Sequence, residues 1–169
     1  MALSRIMIYG THNSGSYGNL QGGCCMCMIT PWTENQTLTI AEQLEKGIRY
    51  FDLRISYSPR DGQLYLSHTL LTMNTVSSIF NEFRQFIEKN EQTVGLILIH
   101  IRVDYQARSN ASIIQSILQP FLEYNHPWML DRSQLDRAGE ILSFDAVCSI
   151  PKMLLYCSDG TIQDKHVIS

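Results

Sequence analysis

Gly47-Ile48-Arg49-Tyr50-Phe51-Asp52-Leu53-Arg54-Ile55 reads as a buried strand, crowded with aromatic and branched residues, and Gly47 closes the helical run before it. Asp52 and Arg54 stand two apart near its end, so strand geometry points both side chains to one face. Opposite charges on one side of a buried strand need partners or a chemical task. An ion pair that holds a loop is one reading. The other comes from two short polar segments that flank the strand in sequence, each carrying a histidine after an apolar run.

Upstream, residues 4–9 read as a first strand that runs into Gly10-Thr11-His12-Asn13-Ser14-Gly15-Ser16-Tyr17-Gly18. A polar loop straight after an N-terminal strand is where a parallel α/β sheet or barrel places ligand groups. Residues 39–46, with Ile40, Ala41 and Leu44 on one face, form a helix. Downstream, Ser58-Pro59-Arg60-Asp61-Gly62 is a turn, and Gln63-Leu64-Tyr65-Leu66-Ser67 alternates as a strand ending in His68-Thr69. Asn74 then offers an N-cap for a helix whose apolar face carries Val76, Ile79, Phe80 and Phe83.

Residues 94–103 are nearly all apolar, as suits a strand covered on both faces, and His100 and Arg102 share one face at its end. A further amphipathic helix around Ile114 and Leu118 is expected to kink or shorten at Pro120. Met153-Leu154-Leu155-Tyr156-Cys157 is the last strand, and residues 158–169 read as a loose tail.

This order predicts one α/β domain over residues 1–169 with a largely parallel, TIM-barrel-like sheet. A complete eight-stranded barrel takes about 250 residues, and this sequence supplies about five strands. The expectation is a distorted barrel whose second half is incomplete. A homodimer or a second chain could complete it, because an open parallel sheet leaves an exposed edge.

Composition bounds the partners. The net charge of −3 and the absence of a basic run exclude nucleic acid as a main partner, but they leave a membrane surface open. No apolar run approaches the roughly 20 residues that span a bilayer, and the start lacks a signal-peptide pattern. A cytoplasmic protein with peripheral contact to membranes is expected. The five cysteines lack zinc-ligand spacing and read as free thiols. Three of them lie in the soft, apolar segment Gly22-Gly23-Cys24-Cys25-Met26-Cys27-Met28-Ile29, with Trp32 just beyond. That segment either packs under the core or touches lipid, which makes Met26, Met28, Ile29 and Trp32 candidate membrane contacts.

If the strand ends converge, His12 and His68 can serve as general base and general acid, since an imidazole titrates near pH ~6.5. Arg54 between them can hold a phosphate and stabilise charge that develops in transfer. Two acid–base histidines and a cation suit cleavage of a phosphodiester by a neighbouring hydroxyl.

Three ordered motifs then carry a resemblance. They are Gly10-Thr11-His12-Asn13-Ser14, Gln43-Leu44-Glu45-Lys46-Gly47-Ile48-Arg49-Tyr50-Phe51-Asp52-Leu53-Arg54, and Tyr65-Leu66-Ser67-His68-Thr69. Together the chain resembles the X domain of phosphatidylinositol-specific phospholipase C, in its bacterial and X-domain-only forms. The resemblance implies a distorted TIM barrel that cleaves phosphoinositide lipids, the inositol 2-hydroxyl attacking phosphorus to release diacylglycerol and a cyclic inositol phosphate. It implies His12 as base, His68 as acid, Arg54 on the phosphoryl oxygens, and Asp52 as support for Arg54 or for a histidine. Arg54, His100 and Arg102 form the implied substrate-binding set, with His100 lining the pocket or structurally paired.

Three departures stand out. Asn13 occupies a position where bacterial and X-domain-only members usually carry an Asp that partners the acid histidine and the arginine. Calcium-dependent animal members share His-Asn here, but Arg54 replaces one of their acidic ligands and His100 lies near another. No cofactor is therefore expected, with calcium as the alternative. Finally, the carboxylate that orients the base histidine in bacterial members is expected beyond the fifth strand. A catalytically impaired lipid- or partner-binding protein is the alternative function.

Overall fold

The computed structural model describes residues 7–18, 34–68, 70–91, 95–124, 126–129, 152–158, 160–162 and 167–168. Its elements are β1 (Gly10–Thr11), α1 (Ile40–Glu45), β2 (Tyr50–Ser58), β3 (Gln63–His68), β4 (Leu70–Thr75), α2 (Val76–Lys89), β5 (Leu96–Val103), α3 (Ala111–Tyr124), β6 (Lys152–Cys157) and β7 (Val167–Ile168). The strands form one sheet in the order β4-β3-β2-β5-β6-β7, and β1 pairs with β2.

The parallel part is β1, β2, β5, β6 and β7. The expected largely parallel sheet needs one correction: β3 and β4 are antiparallel additions, so the strands after β2 form a meander rather than a crossover. The four-residue turn before Gln63 is too short for the crossover that parallel pairing requires. The reversal matters to the site. Leu66 lies opposite Ile55, so β3 carries His68 back from the hairpin tip to the level of Leu53.

Entry into β2 is set by the end of α1. The helix opens with a capping box in which Thr39 accepts from the Glu42 amide and the Glu42 carboxylate accepts from the Thr39 amide. It closes with the Gly47 amide donating to the Leu44 carbonyl (3.0 Å) and the Ile48 amide to the Gln43 carbonyl (3.0 Å). This is a Schellman motif, and it requires the left-handed backbone of Gly47, whose φ is 88°. The buried face of α1 is Ile40, Gln43 and Leu44, not the expected Ile40, Ala41 and Leu44.

Strand alternation then sorts β2 and β5 into two faces. Phe51, Leu53 and Ile55, with Ile97, Ile99, Ile101 and Val103, are buried and belong to the core cluster that includes α2 and α3. Phe51 meets Phe83 of α2 edge to face at 4.9 Å between centroids, a geometry that adds to the area both rings bury. Tyr50, Arg54, Leu98, His100 and Arg102 occupy the opposite face and are only half-buried. β5 is thus covered fully on one side and partly on the other, because polar groups cluster where its second cover was expected.

Other boundaries differ from the expected ones. Pairing of the first strand begins at Gly10, with Met7 and Tyr9 exposed. β4 is a strand to which the sequence reading assigned no element, and Thr75 rather than Asn74 caps α2, accepting from the Ser78 amide. α3 continues through Pro120 to Tyr124. The tail is not loose where it is described: Ile162 and Val167 are buried, and β7 extends the sheet beside β6.

Phe83→Ala should lower unfolding free energy by about 3–5 kcal/mol, the range for deleting a buried aromatic, read as a fall in the urea midpoint at unchanged slope.

Candidate active site

The register places the chemistry. Thr11 pairs with Phe51, and Phe51 with Ile99 and then Leu155. One residue further along each parallel strand, His12, Asp52, His100 and Tyr156 form a row across the sheet. Arg54 and Arg102 pair two residues beyond Asp52 and His100, on the same face.

Asp52 is the centre of that row. Its side chain is only 6% exposed, and a buried carboxylate is tolerable only with donors around it. Arg102 supplies two, Nε to Oδ1 at 3.0 Å and a terminal nitrogen to Oδ2 at 2.5 Å. His12 Nδ1 lies 2.6 Å from Oδ2, where the carboxylate can accept its proton. The Asn13 amide reaches the same oxygen at 3.5 Å, and His100 Nδ1 stands 3.7 Å from Oδ1.

Of the two expected partners of Asp52, Arg54 or a histidine, the contacts among the described residues are with the histidine, His12, and not with Arg54. The guanidinium on Asp52 is that of Arg102, two residues beyond His100, the direct cross-strand partner of Asp52. Arg54 is half-buried and, among the described residues, has no hydrogen bond or ion pair. Its guanidinium is the unclaimed positive charge of the site.

The loop that carries His12 is fastened from three sides. Ser14 exchanges hydrogen bonds with β2: its amide donates to the Asp52 carbonyl (2.8 Å), and its hydroxyl accepts from the Asp52 amide (2.9 Å). Gln43 of α1 accepts from the Thr11 hydroxyl (2.7 Å) and donates to the Ser14 carbonyl (2.9 Å). Asn74 of β4 donates to the carbonyls of Gly15 (3.2 Å) and Tyr17 (2.9 Å). A Cβ on Gly15 would stand 2.5 Å from Leu66 Cγ, so only glycine lets the loop lie this close to β3. Asn13, within the loop, is 2% exposed with a left-handed φ of 48°. Both polar atoms of its side chain are buried without a hydrogen-bond partner.

Asn35 and Gln36 tie the two candidate acid–base histidines together. The Asn35 amide nitrogen lies 3.1 Å from His68 Nδ1, and the Gln36 amide donates to the His12 carbonyl at 2.8 Å. His12 itself is 67% exposed, so its outer nitrogen is open to a ligand. His100, by contrast, is occupied at both nitrogens, with the Tyr50 hydroxyl at 3.2 Å and the Ser158 hydroxyl at 2.8 Å, and its ring lies 5.1 Å from that of Tyr156. Burial and the nearby Asp52 charge push the Tyr50 hydroxyl above its ordinary range.

The residues present do not fit a calcium ion. Asp52 contributes the site's buried carboxylate, Arg102 already holds both its oxygens, and Arg54 adds a second cation. Among the described residues no cluster of three histidine, cysteine or acidic side chains is placed to share a metal.

Sequence reasoning missed Gln43, Ser14, Asn35 and Gln36. Gln43 had a signal, since a glutamine on the Ile40–Leu44 stripe must be buried and paired. Asn35 and Gln36 had none. Met26, Met28, Ile29 and Trp32 lie outside the described residues, as do the three neighbouring cysteines.

With this geometry in hand, comparison with known proteins is direct. The sequence profile of the PI-PLC X domain (PI-PLC X 1) matches residues 2–124. The chain belongs to the PI-PLC X family. It is 29% identical over 140 residues to 1-phosphatidylinositol phosphodiesterase of Listeria monocytogenes, a match covering 82% of this chain and 40% of that protein. It is 36% identical over 92 residues to human PI-PLC X domain-containing protein 2, covering 44% of this chain and 30% of the relative. The solved phosphatidylinositol-specific phospholipase C of L. monocytogenes superposes with a TM-score of 0.71 at 25% identity, covering 94% of this chain and 53% of that one. The fold is accordingly TIM-barrel-like, and the chain spans about half the length of these relatives or less. No helix among the described residues is long and apolar enough to cross a membrane.

Two outcomes test the scaffold of the site. Gln43→Leu strands the Thr11 hydroxyl and the Ser14 carbonyl, and should cost about 1–3 kcal/mol while raising amide exchange across residues 11–16. Burial first, then Glu82, raises the Tyr17 hydroxyl above its ordinary 10.0. The unfolded chain therefore loses this proton first, so stability should fall as pH rises past about 10, and Tyr17→Phe should flatten that fall in urea titrations.

Proposed function

We propose that the site cleaves the phosphodiester of a phosphoinositide without a metal ion. The observation that supports this reading is the link between the two histidine segments: adjacent residues Asn35 and Gln36 bond to His68 and to the His12 carbonyl. Arg54 lies two residues beyond Asp52 on the same face of β2, and its side chain has no hydrogen bond or ion pair among the described residues. In this reading His12 Nε2 takes the proton of the inositol 2-hydroxyl as its oxygen bonds to phosphorus. The bond from phosphorus to the glycerol oxygen breaks, and His68 gives that oxygen a proton. Arg54 holds the non-bridging oxygens as charge builds on them, where a guanidinium acts bidentately. The products are diacylglycerol and a cyclic inositol phosphate, and proton and charge balance within the pair of histidines.

The Listeria relative is named for action on phosphatidylinositol, which supports the substrate class. Substrate of this kind lies in a membrane, so the protein works at a membrane surface, with the segment around Trp32 as the proposed contact.

Asn13 favours a second reading, in which the site binds phosphoinositide without turnover. Its side-chain amide is buried with no hydrogen bond, where the family pattern has a carboxylate.

Purified protein incubated with phosphatidylinositol micelles should yield cyclic inositol phosphate, followed by phosphorus NMR, at a rate that a chelator leaves unchanged. His12→Ala and His68→Ala should each lower kcat by about 10²–10⁴, and Arg54→Lys should lose part of the rate because it keeps the charge but not the fork. Vesicle binding with no product from the unmodified protein at any pH between about 5 and 8, the range in which imidazoles titrate, would transfer the assignment to the second reading.

A further inference from the structure

We propose that Asp52 is the positioning carboxylate of His12, with Arg102 as its counter-charge, so that the whole base assembly lies between residues 12 and 102. This rests on the reading of His12 as the base. By family resemblance the carboxylate for that histidine was expected beyond the fifth strand, and Asp52 was expected to serve Arg54 or a histidine. The contacts of Asp52 select the histidine and make it His12.

Three observations carry the assignment. The 2.6 Å separation of His12 Nδ1 from Asp52 Oδ2 is the shortest approach of any histidine to a carboxylate among the described residues. The two main chains are locked together at that point by the reciprocal Ser14–Asp52 hydrogen bonds of 2.8 and 2.9 Å, so loop and strand cannot drift apart. Arg102 holds both Asp52 oxygens, which keeps the carboxylate in one orientation.

The chemistry follows from the occupied lone pairs. Asp52 Oδ1 takes Arg102 Nε, while Oδ2 takes the Arg102 terminal nitrogen, His12 Nδ1 and the Asn13 amide. An ionised carboxylate only accepts, so the ring nitrogen facing it must carry the proton. His12 is thereby held as the Nδ1–H tautomer with the Nε2 lone pair outward, the form able to take a proton from a hydroxyl. Arg102 acts through Asp52 and touches neither the base nor the reacting atoms.

The tautomer is measurable apart from activity. Long-range proton–nitrogen NMR on histidine-labelled full chain at about pH 8.5, well above the ordinary imidazole range, reports which ring nitrogen is protonated. His12 is assigned with His12→Gln, a change at an exposed side chain. The expected result is Nδ1–H at His12 in the unmodified protein. An Nε2–H ring, or the averaged signal of a free imidazole, would overturn the proposal, and neither result depends on a variant that folds.

Asp52→Asn should then abolish the Nδ1–H preference and lower kcat by about 10²–10⁴, with KM changed less than about threefold because no substrate contact is lost. An unaltered tautomer or an unaltered kcat in this variant would count against the proposal. Failure of the unmodified protein to cleave lipid would sink the proposed activity alone, since the tautomer is read in its absence.

Discussion

A single buried carboxylate organises this molecule. Asp52 sits where the first loop, the second strand and the fifth strand meet, and it collects donors from His12, Asn13 and Arg102 across those three elements. A charge so enclosed is costly unless every lone pair is engaged, so its presence constrains the neighbours as strictly as they constrain it. The loop must bring a ring nitrogen and an amide to one oxygen. β5 must present a guanidinium at one register position and no other. A slip of one residue in the pairing of β2 with β5 would turn Arg102 to the helix side and leave Asp52 unpaired.

The same register separates the two faces of the sheet by function. Residues of β2 at odd numbers from Phe51 to Ile55 enter the apolar core under α2 and α3, which is where the stability resides. Their even-numbered neighbours form the polar floor. The β2–β3 hairpin adds Leu64 and Leu66 to the core, and its antiparallel return brings His68, at the end of β3, level with Leu53.

Much of this was legible in the sequence because it is local. Gly47 as a helix stop, the alternation in β2, the apolar run of β5 and the histidines after strand-like runs all follow from residues within a turn or two of one another. What was not legible depends on pairing between distant segments. Asp52 and Arg102 are 50 residues apart, and only the register of β2 with β5 shows that Arg102, rather than the nearby Arg54, is the partner. Asn35 meets His68 through a loop whose course no periodicity reveals. β4 was hidden because Leu70-Leu71-Thr72-Met73-Asn74-Thr75 lacks clean alternation, and its pairing with β3 is itself irregular between Tyr65 and Ser67.

The departure at Asn13 becomes intelligible from the same electrostatics. A carboxylate there would be a second buried negative charge next to Asp52, whose oxygens Arg102 already occupies. Two such groups repel, and one of them would be driven towards protonation. By the family pattern the second carboxylate would also draw in Arg54 as its counter-ion. With a neutral amide at position 13, Asp52 keeps its contacts to Arg102 and His12 without a second negative charge beside it, and Arg54 remains available to an anionic ligand. The amide carries its own cost, since both of its polar atoms are buried without partners, a deficit of about 1–3 kcal/mol per group in stability. A cost of that size at a site otherwise so fully hydrogen-bonded marks position 13 as a place where stability and the charge balance of the phosphate site pull against each other.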